Sequence, residues 1–203
     1  MKFFEYPYVI ITILAMIIVV MGLFGLYFTI KSVRTSKGTE KKSFCGIGKI
    51  ESEFNKAGYL RQNRSVIYVS VGLDSMKRLY SESKASRLYE QIKMILFRHL
   101  CLGTDGEISV YGNENFVVLN KLEADDIANC IEKCYKEISE AFVKNGAVNV
   151  VSVYFGYVCT SSTEVNFKTA LSRAKQALSM AADKDVLHCQ WDSTNGKAFE
   201  KKI

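Results

Sequence analysis

The run Tyr8–Ile30, YVIITILAMIIVVMGLFGLYFTI, holds 23 consecutive residues without a charge. At ~1.5 Å rise per residue, a helix of that length crosses a hydrocarbon core of ~30 Å. The sequence therefore predicts a membrane anchor over residues 1–31, with residues 8–30 in contact with lipid. A cleaved secretory signal is the rival reading. Its apolar stretch is usually ~7–15 residues and ends in small residues. This run is longer, and it leaves through Tyr27, Phe28, Thr29 and Ile30 into Lys31. Lys31, Arg34, Lys37, Lys41 and Lys42 follow it with only Glu40 against them, while Lys2 and Glu5 precede it. Lys and Arg stay on the cytoplasmic side. That predicts a single-pass protein of the cell membrane with its C-terminal domain in the cytoplasm. Gly22 and Gly25 are too close together for a GxxxG helix-pairing motif.

Much of the net charge of +6 comes from that cluster. Residues 32–45 are predicted to form a basic juxtamembrane linker able to rest on anionic headgroups. Beyond it the charges are mixed and no basic stripe interleaves with aromatics, so nucleic acid is not an expected partner. Cys45, Cys101, Cys130, Cys134, Cys159 and Cys189 include no CxxC pair, and the only histidines are His99 and His188. Cysteines in that pattern are expected to be small buried apolar groups, not zinc ligands or disulfides. Both histidines are expected to stand alone, in surface or core places and not as ligands.

Residues 46–190 are the usual size of one domain. The single proline, Pro7, lies before the anchor and interrupts no element. Apolar spacing predicts a helix over Ile47–Leu60 and a buried strand over Val66–Val71. It next predicts a helix over Ser75–His99, broken near Ser81–Ser86, with Ile92, Ile95, Leu96 and His99 or Leu100 facing the core. Ile108–Tyr111 and Phe116–Asn120 read as a hairpin whose Gly112-Asn113 suits a two-residue turn. A helix follows over Glu123–Val143, with Ile127, Cys130 or Ile131, Cys134 and Ile138 inward. Then come a strand over Val148–Val158, a helix over Val165–Ala182 and a short strand over Val186–Gln190. Interleaved helices and strands around one hairpin imply an α+β fold with a mixed central sheet flanked by helices.

Four stretches in this order carry a family likeness. The hairpin YGNENFVVL resembles RYGGDEFxxLL, the signature of the GGDEF domain of diguanylate cyclases, through Tyr111, Gly112 and Phe116. VIYVSVGLDSMKRL is similar to the family's first strand and its exit, LLxxDxDxFKxxND. VNVVSVYFGYV resembles the strand ending in SIGV, and FKTALSRAKQALSMAADKD resembles the closing helix. The resemblance covers roughly residues 46–190 and implies a ferredoxin-like, nucleotide-cyclase-type fold. It also implies a chemistry in which two GTP molecules meet across a dimer and each 3′-hydroxyl attacks the other's α-phosphate. Carboxylates hold hard cations there, and cations receive the pyrophosphate.

Set on that pattern, this sequence keeps little of the machinery. The first metal Asp falls on Gly72. The signature's second Gly is Asn113, its third-position acid is Glu114, and its fourth, normally Glu, is Asn115. The guanine-reading Asn falls on Tyr80, followed by Ser81. The phosphate-contacting Lys and Arg fall on Ala182 and Val186, with Lys184 two positions out of register. The inhibitory RxxD falls on Gly103-Thr104-Asp105-Gly106. Asp74 and Lys77 match the family's second Asp and its Lys, and are read as structural.

The resemblance thus implies a degenerate site at Gly112, Asn113, Glu114, Asn115 and Phe116, where GTP is a candidate ligand and Glu114 the only retained metal candidate. No catalytic residue or cofactor is expected; magnesium or manganese enters only with residual GTP binding. The expected role is regulatory, in dimerisation or signal relay within bacterial cyclic di-GMP signalling, as a homodimer or beside a domain such as EAL. Residues 191–203 are a tail or the start of a linker helix, since QWDSTNGKAFEKKI resembles the one that leads into EAL domains. Two alternatives stand: an active cyclase making cyclic di-GMP from GTP, and an interaction scaffold that binds no nucleotide.

Overall fold

In the computed structural model, the strand that organises the fold is β1 (Arg64–Val71), buried along almost its whole length. Residues 44–60, 62–146, 153–161, 165–192 and 197–199 are described, together with Met16 and Met21. Alternate side chains of a strand point to opposite faces. Accordingly Ile67, Val69 and Val71 enter one apolar cluster, and Val66 and Tyr68 the other. A strand that packs on both sides needs helices on both faces, and the rest of the sequence supplies them.

Before β1 comes α1 (Ile47–Tyr59). After it follow α2 (Leu73–Leu79), α3 (Glu82–Leu100), the hairpin β2 (Glu107–Tyr111) and β3 (Asn115–Asn120), and α4 (Ala124–Lys144). β4 (Val153–Thr160), α5 (Phe167–Asp183), β5 (His188–Asp192) and β6 (Lys197–Phe199) complete the order. The strands form one mixed sheet in the order β2-β3-β1-β4-β5-β6. β1 is antiparallel to both β3 and β4, and β4 and β5 are parallel across the α5 crossover. α2, α3 and α4 cover one face through Met76, Leu88, Ile92, Leu96, Ile127, Ile131 and Phe142. On the other face α1 and α5 pack through Ile50, Phe54, Phe167, Ala170 and Ala174.

The α+β class and the mixed sheet agree with the pattern expected from sequence. Four details differ. The helix break sits at Tyr80, in extended conformation, and Ser81 caps α3 by accepting from the Lys84 N–H, so the remaining small polar residues to Ser86 are helical. Within the β2–β3 turn only Gly112 takes a positive φ, and Tyr111 pairs with Asn115. The turn is therefore a three-residue loop; a two-residue type I′ turn needs positive φ at both central residues. His99 is not alone: its Nε2 lies 2.7 Å from Glu137 Oε2, and Arg98 pairs with the same carboxylate. Burial acts to raise the Glu137 carboxyl, but those two hydrogen bonds outweigh it and hold it below its ordinary value. His188, by contrast, takes one of the places expected of it, in the core beside Tyr157. Finally, β5 reaches Asp192 and pairs with β6, so strand occupies part of the tail that resembles a linker helix.

All six cysteines are free thiols, with Cys101, Cys134 and Cys189 buried. The chain divides into two units, Met1–Lys42 and Ser43–Ile203. In the first, only Met16 and Met21 are described, both helical and exposed. The anchor expected over Tyr8–Ile30, apart from those two residues, lies outside the described residues. So do most of the linker and the Val148–Ser152 portion of the expected fourth strand. Among the described residues no helix is long and apolar enough to cross a membrane.

Candidate functional site

The carboxyl end of β1 and the β2–β3 turn meet at one corner of the sheet. The antiparallel register of β1 on β3 brings this about, pairing Ser70 with Asn115. The Val71 N–H then donates to the Glu114 carbonyl at 3.3 Å, tying the turn to the strand exit. Gly112 holds φ at +65°, and a Cβ there would meet open space, so its requirement is conformational and not one of room.

Gly112 and Asn113 are exposed, Glu114 and Asn115 are half-buried, and Phe116 is buried. Phe116 stacks on Tyr89 of α3 with ring centroids 5.0 Å apart. The Tyr89 hydroxyl is enclosed and, among the described residues, meets no hydrogen-bond partner. Burial first, then Glu90 and Glu114, push its pKa up to about 12.

Glu114 faces the start of α2. Its carboxyl is raised from the ordinary 4.5 by burial and by the side chain and like charge of Asp74, with the Asp74 backbone N–H and then Lys77 opposing. A carboxyl raised by folding stabilises the fold in its protonated form, and that contribution is lost as pH rises through its folded value. Replacing Glu114 by Gln keeps a donor for Asp74 and removes the repulsion. Melting of Glu114→Gln at pH 7 is expected about 2 °C above the parent, a gap that closes below about pH 4. A lower melting point at pH 7 would mean that the Asp74 N–H and Lys77 together outweigh burial and repulsion and favour the ionised carboxylate.

The remaining positions of the family pattern are occupied without charge. Gly72 caps α2 and offers no side chain. Tyr80 packs against the core, with Lys84 Nζ 4.8 Å above its ring. Ala182 lies in the last turn of α5, and Val186 packs beside Ala177, Ala181 and Cys189. Thr104 closes its own turn, donating to the Leu100 and Cys101 carbonyls at 2.9 and 3.1 Å. Cavities of about 610 Å³ and 310 Å³ lie elsewhere, the first between α3 and α4 and the second beside Lys56, Arg64 and Asp105.

Magnesium at a phosphate site keeps several waters and is held by one or two carboxylates together with the substrate's phosphates. Here Asp74 and Glu114 are turned on each other, and among the described residues no group of three or more His, Cys, Asp or Glu could hold a metal. Gly72 at the strand exit adds no ligand to these two acids, so the corner offers fewer carboxylates than the family pattern.

One residue near the turn escaped the reading of the sequence. Lys175 of α5 donates to the Tyr111 hydroxyl at 3.1 Å, with its ammonium 4.2 Å from the Tyr111 ring and 5.3 Å from that of Tyr68. The contact reaches Tyr111 from the helix on the other face of the sheet. Its only sequence trace is a lysine between the buried Ala174 and Ala177.

No protein-family model and no curated protein matches the sequence. Solved structures do resemble it. The GGDEF domain of DgcB from Caulobacter crescentus, in complex with c-di-GMP, aligns with a TM-score of 0.60 at 12% identity, over 71% of this chain and 88% of that one. The active GGEEF domain of a diguanylate cyclase from Vibrio cholerae gives 0.56 at 15%, over 70% and 93%. The GGDEF domain of YfiN from Pseudomonas aeruginosa gives 0.55 at 14%, over 70% and 92%. At such identities the likeness is one of fold, and the fold is that of GGDEF domains.

Proposed function

We propose that residues 46–190 are a degenerate GGDEF domain that serves cyclic di-GMP signalling as a regulatory, dimerising or relay module, without cyclase activity. Residues 8–30 anchor it in the cell membrane and the domain faces the cytoplasm, where it works as a homodimer or with a partner domain such as EAL. The observation that carries this reading is the Asp74–Glu114 pair. At the corner that the resemblance assigns to the triphosphates, Asp74 stands beside Glu114 and holds its carboxyl above the ordinary value. Gly72, Asn115, Ala182 and Val186 supply no charge to help them. Phosphoryl transfer depends on neutralising and positioning the phosphates, and each lost contact typically lowers the rate by about 10²–10³.

The full chain in detergent micelles, given GTP with magnesium or manganese, is therefore expected to make no cyclic di-GMP detectable by chromatography. Product that disappears with Glu114→Ala would establish an active cyclase instead.

The scaffold that binds no nucleotide also has a specific observation in its favour. Tyr80, with Lys84 over its ring, stands where the family reads guanine. A ligand that binds the native state raises its melting temperature. Titration with GTP, ATP and cyclic di-GMP separates the two readings: a shift supports a nucleotide-responsive relay, and none at millimolar ligand supports the scaffold.

A further inference from the structure

β2 is an edge strand, and such strands leave a row of backbone groups open to another chain. Here the segment leading into the domain takes up part of that row. Phe44 forms a parallel bridge with Ile108, and the Cys45 N–H donates to the Ile108 carbonyl at 3.1 Å. Side chains hold the segment down. The Phe44 ring lies 5.4 Å from that of Phe97, and Lys93 Nζ sits 4.7 Å from its centroid. The Cys45 thiol donates to Glu107 Oε2 at 3.5 Å, and the same carboxylate pairs with Lys49 in the first turn of α1. Burial first, then Glu107, push that thiol up to about 11, so it remains a donor at physiological pH.

Three residues after Ile108 the strand ends at Tyr111 and the turn begins. We infer that Phe44–Cys45 is a coupling strap: seated, it clamps β2; withdrawn, it leaves β2 free to open locally from β3. Phe44 and Cys45 thereby act on the turn that carries Glu114 through backbone pairing. The strap is added to the sheet as an extended peptide is added in β-augmentation, and sub-global opening of one edge strand needs less free energy than unfolding the sheet. This inference goes beyond the proposed function, since it requires no nucleotide and holds for cyclase and scaffold alike.

Hydrogen exchange read by mass spectrometry on the full chain in detergent micelles tests it, with Phe44→Ala and Glu107→Gln beside the parent. Removing the aryl ring is expected to speed exchange of the β2 amides about tenfold, while amides of the β1–β4 ladder change less than about twofold. Glu107→Gln, which keeps the ring and weakens the hold on Cys45 and Lys49, is expected to act in the same direction and less strongly. It carries the test alone if Phe44→Ala does not fold. Uniform acceleration across all strands would overturn the strap, because Phe44 would then only contribute to global stability. Unchanged β2 rates, or loosening confined to the amides of residues 45 and 46, would overturn it as well.

Discussion

Gly156→Ala is expected to destabilise the fold by about 4 kcal/mol or more, lowering the melting temperature by roughly 10 °C. Gly156 lies in β4 between Tyr68 of β1 and Cys189 of β5, so its neighbours cannot shift without disturbing two ladders. A Cβ there would stand 2.2 Å from the Ala174 carbonyl oxygen and 2.2 Å from the Leu178 nitrogen, both backbone atoms of α5. Real Cβ atoms do not approach backbone so closely, and no rotamer relieves the contact. α5 has come down onto the sheet because its inward stripe is Ala170, Ala174, Ala177 and Ala181, all fully buried. The methyl must push out a whole helix. Gly112→Ala makes the contrast: its Cβ meets nothing, and the expected loss is the roughly 1–2 kcal/mol of a left-handed conformation. Thermal and urea melts of the two variants measure the difference. A Gly156→Ala protein within about 1 kcal/mol of the parent would show that α5 does not pack as described.

Gly156 was within reach of the sequence only through the family likeness of SVYFGYV to a strand ending in SIGV; periodicity gives no reason for a glycine in mid-strand. Elements set by local pattern were well placed. The run VIYVSV is β-branched and flanked by polar residues, so it could be read as a buried strand without knowing its neighbours. The stripe Ile92, Ile95, Leu96 was legible in the same way, and Leu100, not His99, continues it inward. What failed to show was whatever depends on partners distant in sequence. Glu137 engages His99 and Arg98 from a different helix. Lys175 reaches Tyr111 across the sheet face. The site was legible as a place, through Tyr111, Gly112 and Phe116. The environment of Glu114 was not, because Asp74 comes to it only through the β1–β3 register. β6 was missed because three residues in a polar tail carry too short a pattern to register as a strand.

Arg64 is the clearest such case, and its loss is expected to have the second largest effect. A charged residue before the apolar run argues for a loop, and the sequence starts the strand at Val66. In the structure Arg64 belongs to β1 and is only 2% exposed. Its guanidinium donates through Nη1 to the Phe54 carbonyl at 2.6 Å and through Nη2 to the Val165 carbonyl at 2.9 Å. Its Cζ stands 4.0 Å from the centroid of the Phe54 ring. Gly58 makes room for it, since a Cβ there would fall 1.7 Å from Nη1. One side chain thus joins α1, β1 and the approach to α5. Arg64→Ala leaves two backbone acceptors without this donor and opens a cavity beneath Phe54; the expected loss is about 3–5 kcal/mol. Arg64→Met keeps the volume and removes the charge together with its desolvation cost, so it is expected to lose less than Arg64→Ala. Arg64→Lys keeps the charge but not the fork that spans two carbonyls, and is also expected to fall short of the parent. Urea midpoints of the three variants supply the order. If Arg64→Lys matched the parent, positive charge alone would explain the position. If Arg64→Ala did, α1 would be held by its apolar face, and the buried fork would contribute nothing measurable to the joint between α1 and the sheet.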